Sequence, residues 1–424
     1  MHPLAARPAG DATPHRPVLV ALLALAALYL VQCVSPLRLE SDAVDYLSTA
    51  AAMVDGRVLP KVPFPHGYPY IIATLDRLGL GSASFFVFAN CVFLALGLWA
   101  TWRIFSDYSA CVRMWIVIAT LLALSVVKSV AAPLPEAAFF GTSMLSLAAA
   151  STALSAAGPK RWGWFALSVA AAAFALSIRV VGVALIPTLL WAGWCAFSNA
   201  PHTTRPQRRV GVTIIVLLVL AAVALAFSRL SIIIGYLEHP AYWYVYGGLK
   251  SPVGGRAYGM LAGLGQMIVN LPLSRFHSLA PAFAAAGLAA MVLLVLGRRK
   301  PGRLTITGIY LGFYLGVLAF WPYDSPRLWM PVTPLIAAHV VITLDRARNK
   351  SAMRLLVPLY AAWFALTGIA ALAYTTRISL SGSEFPRLYG TDGGMATTGL
   401  HTMGPKEMRR YNAQADTLLH RYRR

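Results

Sequence analysis

The sequence predicts an all-α protein that crosses a membrane many times. Hydrophobic residues make up 58% of the 424 residues, charged residues make up only 12%, and the mean hydropathy is +0.64. A soluble domain usually carries about a quarter charged residues. Several apolar runs reach the roughly 20 residues that a helix needs to cross a bilayer. We therefore expect about 11 transmembrane helices, within a range of about 10 to 13, because helix boundaries read from sequence are uncertain by a few residues.

The basic residues set the predicted orientation. The net charge is +21, but Lys and Arg do not form one patch. They fall in short clusters between the apolar runs, at 103–113, 159–162, 205–209, 297–303 and 345–354. Short basic loops stay on the cytoplasmic side of a membrane. This distribution predicts membrane lipids as the surroundings and excludes nucleic acid as a partner.

The spans follow from these loops, and the first of them is interpreted as a helix that is retained rather than as a removed signal peptide. The predicted spans are 17–35, 83–103, 113–131, 136–157, 162–179, 181–198, 210–230, 279–297, 304–321, 328–345 and 355–374. Two long segments then lie outside, 36–82 and 231–278, and the second is dense in Tyr, Trp and Gly, which is typical of an interfacial loop. We expect a membrane domain over 1–374 and a short extracytoplasmic tail over 375–424.

Ionisable residues that are far apart in sequence all fall on the outer side of this topology. They are Asp42, Asp45, Lys61, His66, Glu136, Arg179, Asp324 and Arg327. Ionisable groups at the lipid boundary are costly and are usually functional. Their distribution predicts one polar site at the outer face.

The first outer segment contains an acidic stretch, "SDAVDYLSTAAAMVDG". It predicts a short amphipathic helix over 42–55 at the membrane surface, capped by Ser41 and ended by Gly56. An apolar stripe at helical spacing consists of Ala43, Leu47, Ala50 and Val54. The opposite face holds Asp42, Asp45, Tyr46 and Thr49. From this window alone, Asp42 is either a site residue or an acid that the helix dipole favours in a first turn.

Five stretches occur in an order that resembles the GT-C superfamily. They are "SDAVDYLSTAAAMVDG", "PFPHGYPYIIATLDRLG", "PLPEAAFF", "FALSIRVVGVALIP" and "WPYDSPRLWMPVTPLIAAH". GT-C proteins are integral-membrane glycosyltransferases that use polyprenyl-phosphate-linked sugars, among them enzymes of the mannosyltransferase and aminoarabinose-transferase type. The resemblance implies a GT-C-like fold with amphipathic juxtamembrane helices in the first outer loop.

The family motifs map onto individual positions of this chain. Asp42 and Tyr46 match an Asp shortly before a Tyr in the first outer loop, and His66 replaces the first Pro of a Pro-Gly-Tyr-Pro-like stretch. Glu136 follows Pro135, where the family has a Ser-Glu pair. The Arg that ends the fifth helix and the Arg that opens a late, Pro-containing helix correspond to Arg179 and Arg327.

This chain departs from the family in two places. The common Asp-Glu pair is Asp42-Ala43 here, which removes one carboxylate and puts metal dependence in doubt. A large soluble C-terminal domain, present in some relatives, is replaced by the tail 375–424. This second departure leaves the recognition of the acceptor open.

The resemblance implies transfer of a sugar from a polyprenyl phosphate to a hydroxyl acceptor, with inversion of the anomeric centre. Asp42 is the expected general base, since it must accept a proton from the acceptor hydroxyl. Asp45 is a second catalytic carboxylate, a metal ligand or a solvated helix acid. A divalent cation at Asp42 and Asp45 stays open, because such ions want more oxygen ligands than two carboxylates supply. No other cofactor is expected.

The leaving lipid phosphate needs cations, for which the candidates are Arg327, Arg179, Lys61 and His66. For Arg179, Arg327 and Lys61 the alternative is a side chain that reaches the lipid headgroups, and for His66 it is a packed loop position. The expected substrate-binding residues are Tyr46, Glu136, Tyr68 and Asp324. Glu136 alternatively forms an ion pair with Arg179, and Asp324 alternatively pairs with Arg327.

A transporter or flippase of lipid-linked sugars is the alternative function, and a membrane-surface transferase of phosphate-containing headgroups is a second one. Transporters tend to show repeated halves and polar residues near the bilayer midplane, and neither is visible in this sequence. The acceptor is a glycan, a lipid or a protein. The Ala- and Arg-rich composition is typical of a bacterium with GC-rich DNA, so we expect a multi-pass protein of the inner (plasma) membrane with its site facing the periplasm.

Overall fold

The computed structural model describes residues 16–39, 41–60, 64–198, 252–296, 305–320, 326–347, 351, 353–381 and 405–423. Within these ranges the regular structure consists of α-helices and short 3-10 helices, without a β-strand. The predicted all-α, multi-pass fold class is therefore confirmed for the described part of the chain.

Nine α-helices form the described part of the first half of the chain. They are α1 (Arg16–Val31), α2 (Ser41–Val54), α3 (Gly67–Arg77), α4 (Ala83–Ile104), α5 (Ala110–Leu122), α6 (Leu124–Val130), α7 (Glu136–Ser155), α8 (Pro159–Ile178) and α9 (Leu185–Ser198). The helices described in the second half are α10 (Pro252–Val269), α11 (Ala280–Leu296), α12 (Ile306–Phe320), α13 (Thr333–Ala347), α14 (Met353–Ser381) and α15 (Pro405–Arg421). A 3-10 helix, Pro326–Val332, leads directly into α13.

Six helical segments among the described residues are long and apolar enough to cross a membrane, and the bent pair α5–α6 would make a seventh. Shorter apolar helices are present at Val18–Val34, Val180–Ala196, Ala257–Val269 and Ile306–Ala319. The predicted span 210–230 lies outside the described residues. Each of the other predicted spans coincides with one helical segment, except 113–131, which coincides with the bent pair α5–α6. The count of 11 stays a prediction.

The outer surface of the helix bundle is apolar. On α14 the exposed large side chains are Leu355, Leu356, Leu359, Trp363, Leu366 and Ile369, and on α4 they are Phe85, Phe88, Val92 and Trp99. Apolar patches of this extent are rare on soluble monomers. Lipid tails solvate such side chains, so the surface fits a protein embedded in a bilayer.

Helix α7 lies at the centre of the bundle and packs along both α4 and α8. Its aromatic residues Phe139 and Phe140 are fully buried. Ser146 and Ser168 exchange hydrogen bonds between α7 and α8, since each hydroxyl donates to the carbonyl oxygen of the other residue, at 2.8 and 2.7 Å. Small polar residues of this kind let membrane helices approach closely. These contacts hold α7 in place and thereby fix the position of its first residue, Glu136.

The predicted span 113–131 is broken into α5 and α6, which meet at an angle of 57°. Asn270 satisfies the backbone at the break, because its Oδ1 accepts from the N–H of Leu124 at 2.8 Å and its Nδ2 donates to the carbonyl of Leu122 at 3.0 Å. A break inside a membrane helix needs such partners. The bend turns α6 against the 3-10 helix that carries Arg327.

The expectation of a loop throughout 231–278 is wrong for its second half. Residues Pro252–Val269 form α10, which packs along α11. A Cβ atom at Gly265 would lie 1.8 Å from the carbonyl oxygen of Phe283, so the two backbones nearly touch. Glycine permits this approach, and van der Waals contact between closely packed helices compensates for the low helix propensity of glycine.

The first outer segment forms two short helices, α2 and α3, which pack against each other. α2 spans Ser41–Val54, close to the predicted 42–55, and Gly56 follows it with a positive φ of 65°. The expected apolar stripe is buried except for the half-buried Val54, and the expected polar face is only partly open to solvent. Tyr46 and Thr49 on that face are also buried, because α3 and the segment before it cover this side of α2.

The predicted division at residue 374 falls inside α14, which continues to Ser381. Within the predicted tail, α15 packs on α2. The extracytoplasmic side of the tail stays a prediction.

Candidate active site

The innermost part of the site is an ion pair between Glu136 and Arg179. Glu136 is the first residue of α7 and Arg179 is the residue that follows α8. α7 and α8 form an antiparallel hairpin, so these two helix ends meet. A carboxylate is favoured at a helix N-terminus and a guanidinium at a C-terminus. The pairing that the sequence left as one alternative for Glu136 is therefore present.

Arg327 joins this pair to α2. Its Nη2 forms an ion pair with Asp42 Oδ2, and its Nε lies 3.7 Å from Glu136 Oε1. The 3-10 helix Pro326–Val332 places Arg327 here because it packs across the start of α7. Four charged residues from four separate segments thus form one cluster, and its location at the outer face of the membrane stays a prediction.

Burial decreases steadily across the cluster. The exposed fraction of the side chain is 1% for Glu136, 12% for Arg179, 20% for Arg327 and 40% for Asp42. Glu136 Oε2 is buried and has no hydrogen-bond partner among the described residues. The site therefore has a closed charged floor and an open side at Asp42. A substrate that enters from this side reaches Asp42 first, whereas Glu136 lies behind it in the closed part of the site.

Aromatic residues form a wall beside the charges. Tyr46 packs between Phe64 and Tyr68, with ring centroids 4.2 and 5.6 Å away. Tyr68 donates its hydroxyl to Asn90 Oδ1 at 3.4 Å. Burial raises the pKa of the Tyr46 hydroxyl well above its usual value, so this group stays a neutral donor. Tyr46 and Tyr68, both expected from the sequence, lie in the first outer segment beside the cluster.

Asp45 lies one turn further along α2 than Asp42 and is half-buried. Burial and, to a smaller extent, the charge of Asp42 raise the pKa of Asp45 to about 6. A carboxyl group with this pKa changes its protonation state near neutral pH, as a general acid or base must. Of the three interpretations left open for Asp45, the fully solvated helix acid does not fit, because the side chain is half-buried.

Three predicted site residues remain, His66, Lys61 and Asp324, and only His66 lies within the described ranges. His66 is half-buried and directly precedes α3, two residues before Tyr68. Lys61 and Asp324 lie outside the described residues, so their predicted roles and the alternative Asp324–Arg327 pair stay predictions.

No group of three or more His, Cys, Asp or Glu side chains within the described ranges is arranged to hold a metal ion. Asp42 and Asp45 together supply two carboxylates, whereas Ca²⁺ takes 6 to 8 oxygen ligands and Mg²⁺ takes six. The divalent cation named for these two residues stays a prediction.

Sequence reasoning missed three contributors. Asn90, buried in α4, donates through Nδ2 to the carbonyls of Val130 and Ala132 at 3.1 and 2.7 Å, which fixes the turn before Glu136. Tyr314, fully buried in α12, donates to the carbonyl of Leu328 at 2.6 Å and thereby braces the 3-10 helix. A lone amide inside an apolar stretch was the available signal for Asn90, and a tyrosine inside an apolar helix was the signal for Tyr314. The third contributor is the C-terminal helix α15.

The fold is shared with solved structures of membrane proteins. The chain matches ArnT from Cupriavidus metallidurans bound to undecaprenyl phosphate, with a TM-score of 0.53 and 15% identity over 96% of this chain and 77% of that one. ArnT in the apo state matches with a TM-score of 0.50 and 15% identity, over 95% of this chain and 76% of that one. An oligosaccharyltransferase from Archaeoglobus fulgidus, solved with zinc and sulfate, matches with a TM-score of 0.50 and 13% identity, over 85% of this chain and 53% of that one.

No protein-family model and no curated protein sequence matches the chain. The identities to the solved structures are low, so the likeness concerns the fold alone. At that level the expected fold is confirmed, since the chain shares the helical membrane fold of ArnT.

Proposed function

We propose that the protein is a glycosyltransferase that moves a sugar from a polyprenyl-phosphate donor to a hydroxyl group of an acceptor at the outer face of the membrane. The observation that carries this proposal is the cluster of Asp42, Glu136, Arg179 and Arg327. It combines an accessible carboxylate with two guanidinium groups at one end of an apolar bundle. The shared fold with ArnT, which was solved with undecaprenyl phosphate, supports a lipid-phosphate donor.

In the proposed reaction the acceptor oxygen attacks the anomeric carbon. A new carbon–oxygen bond forms, and the bond from the anomeric carbon to the phosphate oxygen breaks. Its electron pair leaves with the polyprenyl phosphate, and the acceptor proton passes to Asp42. A single displacement of this kind inverts the anomeric centre. Asp42 suits the role of base because it is the most exposed member of the cluster.

The two guanidinium groups are assigned to the donor phosphate. Arg327 lies between Asp42 and Glu136, at the border between the buried floor and the open side. A phosphate that enters from this side can accept hydrogen bonds from the Arg327 fork, and Arg179 adds a second guanidinium behind it while its Nη1 stays paired with Glu136. Planar guanidinium groups match phosphate oxygens well and stabilise the charge that develops on the leaving group.

The sugar is assigned to the open side of the site at Asp42, and the buried residues Tyr46, Tyr68 and Glu136 shape the wall behind it. Tyrosine supplies both apolar packing and a polar hydroxyl at such a wall. The assignment covers hexosyl and pentosyl donors alike. The acceptor is a glycan, a lipid or a protein on the outer side, which is the periplasm if the protein lies in a bacterial inner membrane.

A flippase for lipid-linked sugars is the second candidate, because one structural feature favours it. Broken membrane helices are common in transporters, and α5 and α6 form such a break. The break is closed by Asn270, however, and the charged residues gather at one end of the bundle. Both features suit an enzyme with a site at one side of the membrane better than a transporter whose site opens to each side in turn.

A reconstituted transfer assay separates the two candidates. The protein is placed in proteoliposomes with a polyprenyl phosphate that carries a radiolabelled sugar, and a hydroxyl acceptor is supplied outside. Transferase activity is expected to move the label to the acceptor and to release free polyprenyl phosphate. If the intact lipid-linked sugar changes leaflet and no polyprenyl phosphate is released, the flippase function holds instead.

A further inference from the structure

The C-terminal helix α15 contacts the helix that carries the proposed base. Its buried side chains are Ala415 and Leu418, and they are followed by the buried Tyr422. The spacing of three and four residues puts all three on one face. Leu419 packs beside them against the core. α15 therefore buries an apolar stripe in the core and contacts α2.

Arg421 connects α15 to the ends of both juxtamembrane helices. Its Nη1 lies 2.9 Å from each carboxylate oxygen of Asp55, the residue that follows α2. Its Nη2 and Nε lie 3.0 and 3.2 Å from Asp76 Oδ2, in the last turn of α3. The guanidinium groups of Arg421 and, second, Arg57 hold the pKa of Asp55 below its usual range. One guanidinium thus ties together three helices.

Tyr422 extends this connection to α4. Its carbonyl accepts from the N–H of Ala83 at 3.2 Å, at the start of α4, and its ring lies edge-on to Phe86 at 5.2 Å between centroids. Its hydroxyl donates to Asp76 Oδ2 at 3.2 Å. A fully buried tyrosine with a satisfied hydroxyl makes a specific contact. The attachment point of α15 therefore includes a membrane-spanning helix.

α2 is held at both ends by different partners. At its start Asp42 pairs with Arg327, and just beyond its end Asp55 pairs with Arg421. α15 makes a second contact with α2 midway along α2, where Gln414 Nε2 donates to Ser48 Oγ. A helix of 14 residues is about 21 Å long. A tilt of the helix about one end therefore displaces the other end in proportion to this length.

We propose that α15 is a clamp that positions the proposed base, with Arg421 and Tyr422 as positioning residues that act through α2. This inference rests on the proposed function, because Asp42 is a base only if the protein transfers a sugar. Displacement of a reacting group by about 1 Å can cost on the order of 10²-fold in rate. Loss of the clamp is expected to lower kcat while the donor KM, set by the guanidinium groups, changes little.

The test compares Arg421→Ala with Arg423→Ala in the full chain. Arg423 is exposed two residues further on, so its removal takes away the same charge without touching Asp55 or Asp76. Hydrogen exchange of the α2 amides is measured in both variants, with α7 and α8 as internal references. Arg421→Ala is expected to speed α2 exchange on the order of tenfold, since a less constrained helix opens more often. Arg423→Ala should match the wild type.

The kinetic comparison uses the same proteins. Arg421→Ala is expected to lower kcat on the order of tenfold with KM within about twofold, and Arg421→Lys should recover only part of the loss because one ammonium cannot serve both carboxylates. Unchanged α2 exchange, or unchanged kcat beside an active wild type, overturns the clamp, and so does equal acceleration of exchange in α7 and α8. If the wild type transfers no sugar, the proposed function fails, while the exchange measurement still decides whether α15 holds α2.

Discussion

At the scale of single residues, the two carboxylates at the start of α2 occupy different environments. Asp42 is 40% exposed and pairs with Arg327. Asp45, one turn away, is withdrawn from solvent, and its pKa is raised to about 6 by burial first and by the charge of Asp42 second. Environments that separate two carboxyl groups in this way commonly give them different catalytic roles. In the proposed reaction Asp42 accepts the acceptor proton, and Asp45 behind it titrates close to neutral pH.

The role of Asp42 is tested by Asp42→Asn. The amide keeps the size of the side chain and a hydrogen-bonding oxygen, but it cannot accept a proton. Turnover is expected to fall on the order of 10²-fold or more, the usual contribution of a positioned base. Donor affinity and expression should stay near wild type. Initial rates of label transfer provide the measurement, and Asp45→Asn is the matched control, because a larger loss at position 45 would assign the base to Asp45.

Asp45 also makes stability depend on pH. Its pKa is about 6 in the folded protein and near its ordinary value of 3.8 in the unfolded chain, so between these values the folded state binds more protons. Stability from this group is therefore full below about pH 4 and is lost as the pH rises through 6. Asp45→Asn is expected to raise the apparent unfolding midpoint in detergent at pH 7.5 and to change it little at pH 4. Equal shifts at both pH values would contradict the assignment.

The two guanidinium groups are tested by substitution with Lys and Ala. Arg327→Ala and Arg179→Ala are each expected to lose most of the transfer activity, because the leaving phosphate loses a bidentate partner. Lys supplies the charge without the fork, so Arg327→Lys and Arg179→Lys should recover only part of the rate. Activity is measured at matched expression. Full activity of either Ala variant would mean that the residue merely reaches the lipid headgroups.

At the scale of helices, periodicity and basic loops predicted most elements correctly, and α2 matches its predicted range within a residue or two. Two helices were not predicted. α10 was missed because its glycines lower helix propensity and the helix forms through close packing on α11, a tertiary effect. α15 was missed because its sequence is polar overall. Its short apolar stripe is recognisable only once the helix is seen packed against the core beside α2. In each case a contact that is distant in sequence decides the structure.

The packing of α10 on α11 is tested by Gly265→Ala, with Gly312→Ala as the control. The added Cβ at Gly265 meets the backbone of Phe283, which cannot rotate away, whereas Gly312 in α12 has open space around it. Overpacking is expected to cost about 1–3 kcal/mol at position 265, seen as a lower thermal midpoint in detergent. Gly312→Ala should leave the midpoint unchanged or raise it slightly. Equal effects at the two positions would contradict the close approach.

At the scale of the whole molecule, the site depends on the topology of the bundle. Asp42, Glu136, Arg179 and Arg327 come from α2, α7, the end of α8 and the 3-10 helix before α13. The sequence predicted that they share one face of the membrane, because the basic loops orient every span. It offered the Glu136–Arg179 pair as one alternative but did not predict the Asp42–Arg327 pair, which depends on how the 3-10 helix packs against α7. Side-chain pairing of this kind follows from packing geometry.

The central claim is that these residues act as one catalytic unit, and a double-mutant comparison tests it most directly. Transfer rates are measured for Asp42→Asn, for Arg327→Lys and for the double variant, with Asp42→Asn combined with Arg423→Ala as a control for distant sites. Residues that act as a unit show strongly non-additive losses. The double variant is therefore predicted to be about as slow as the slower single variant. Losses that multiply, as two independent sites would give, would contradict a single catalytic cluster.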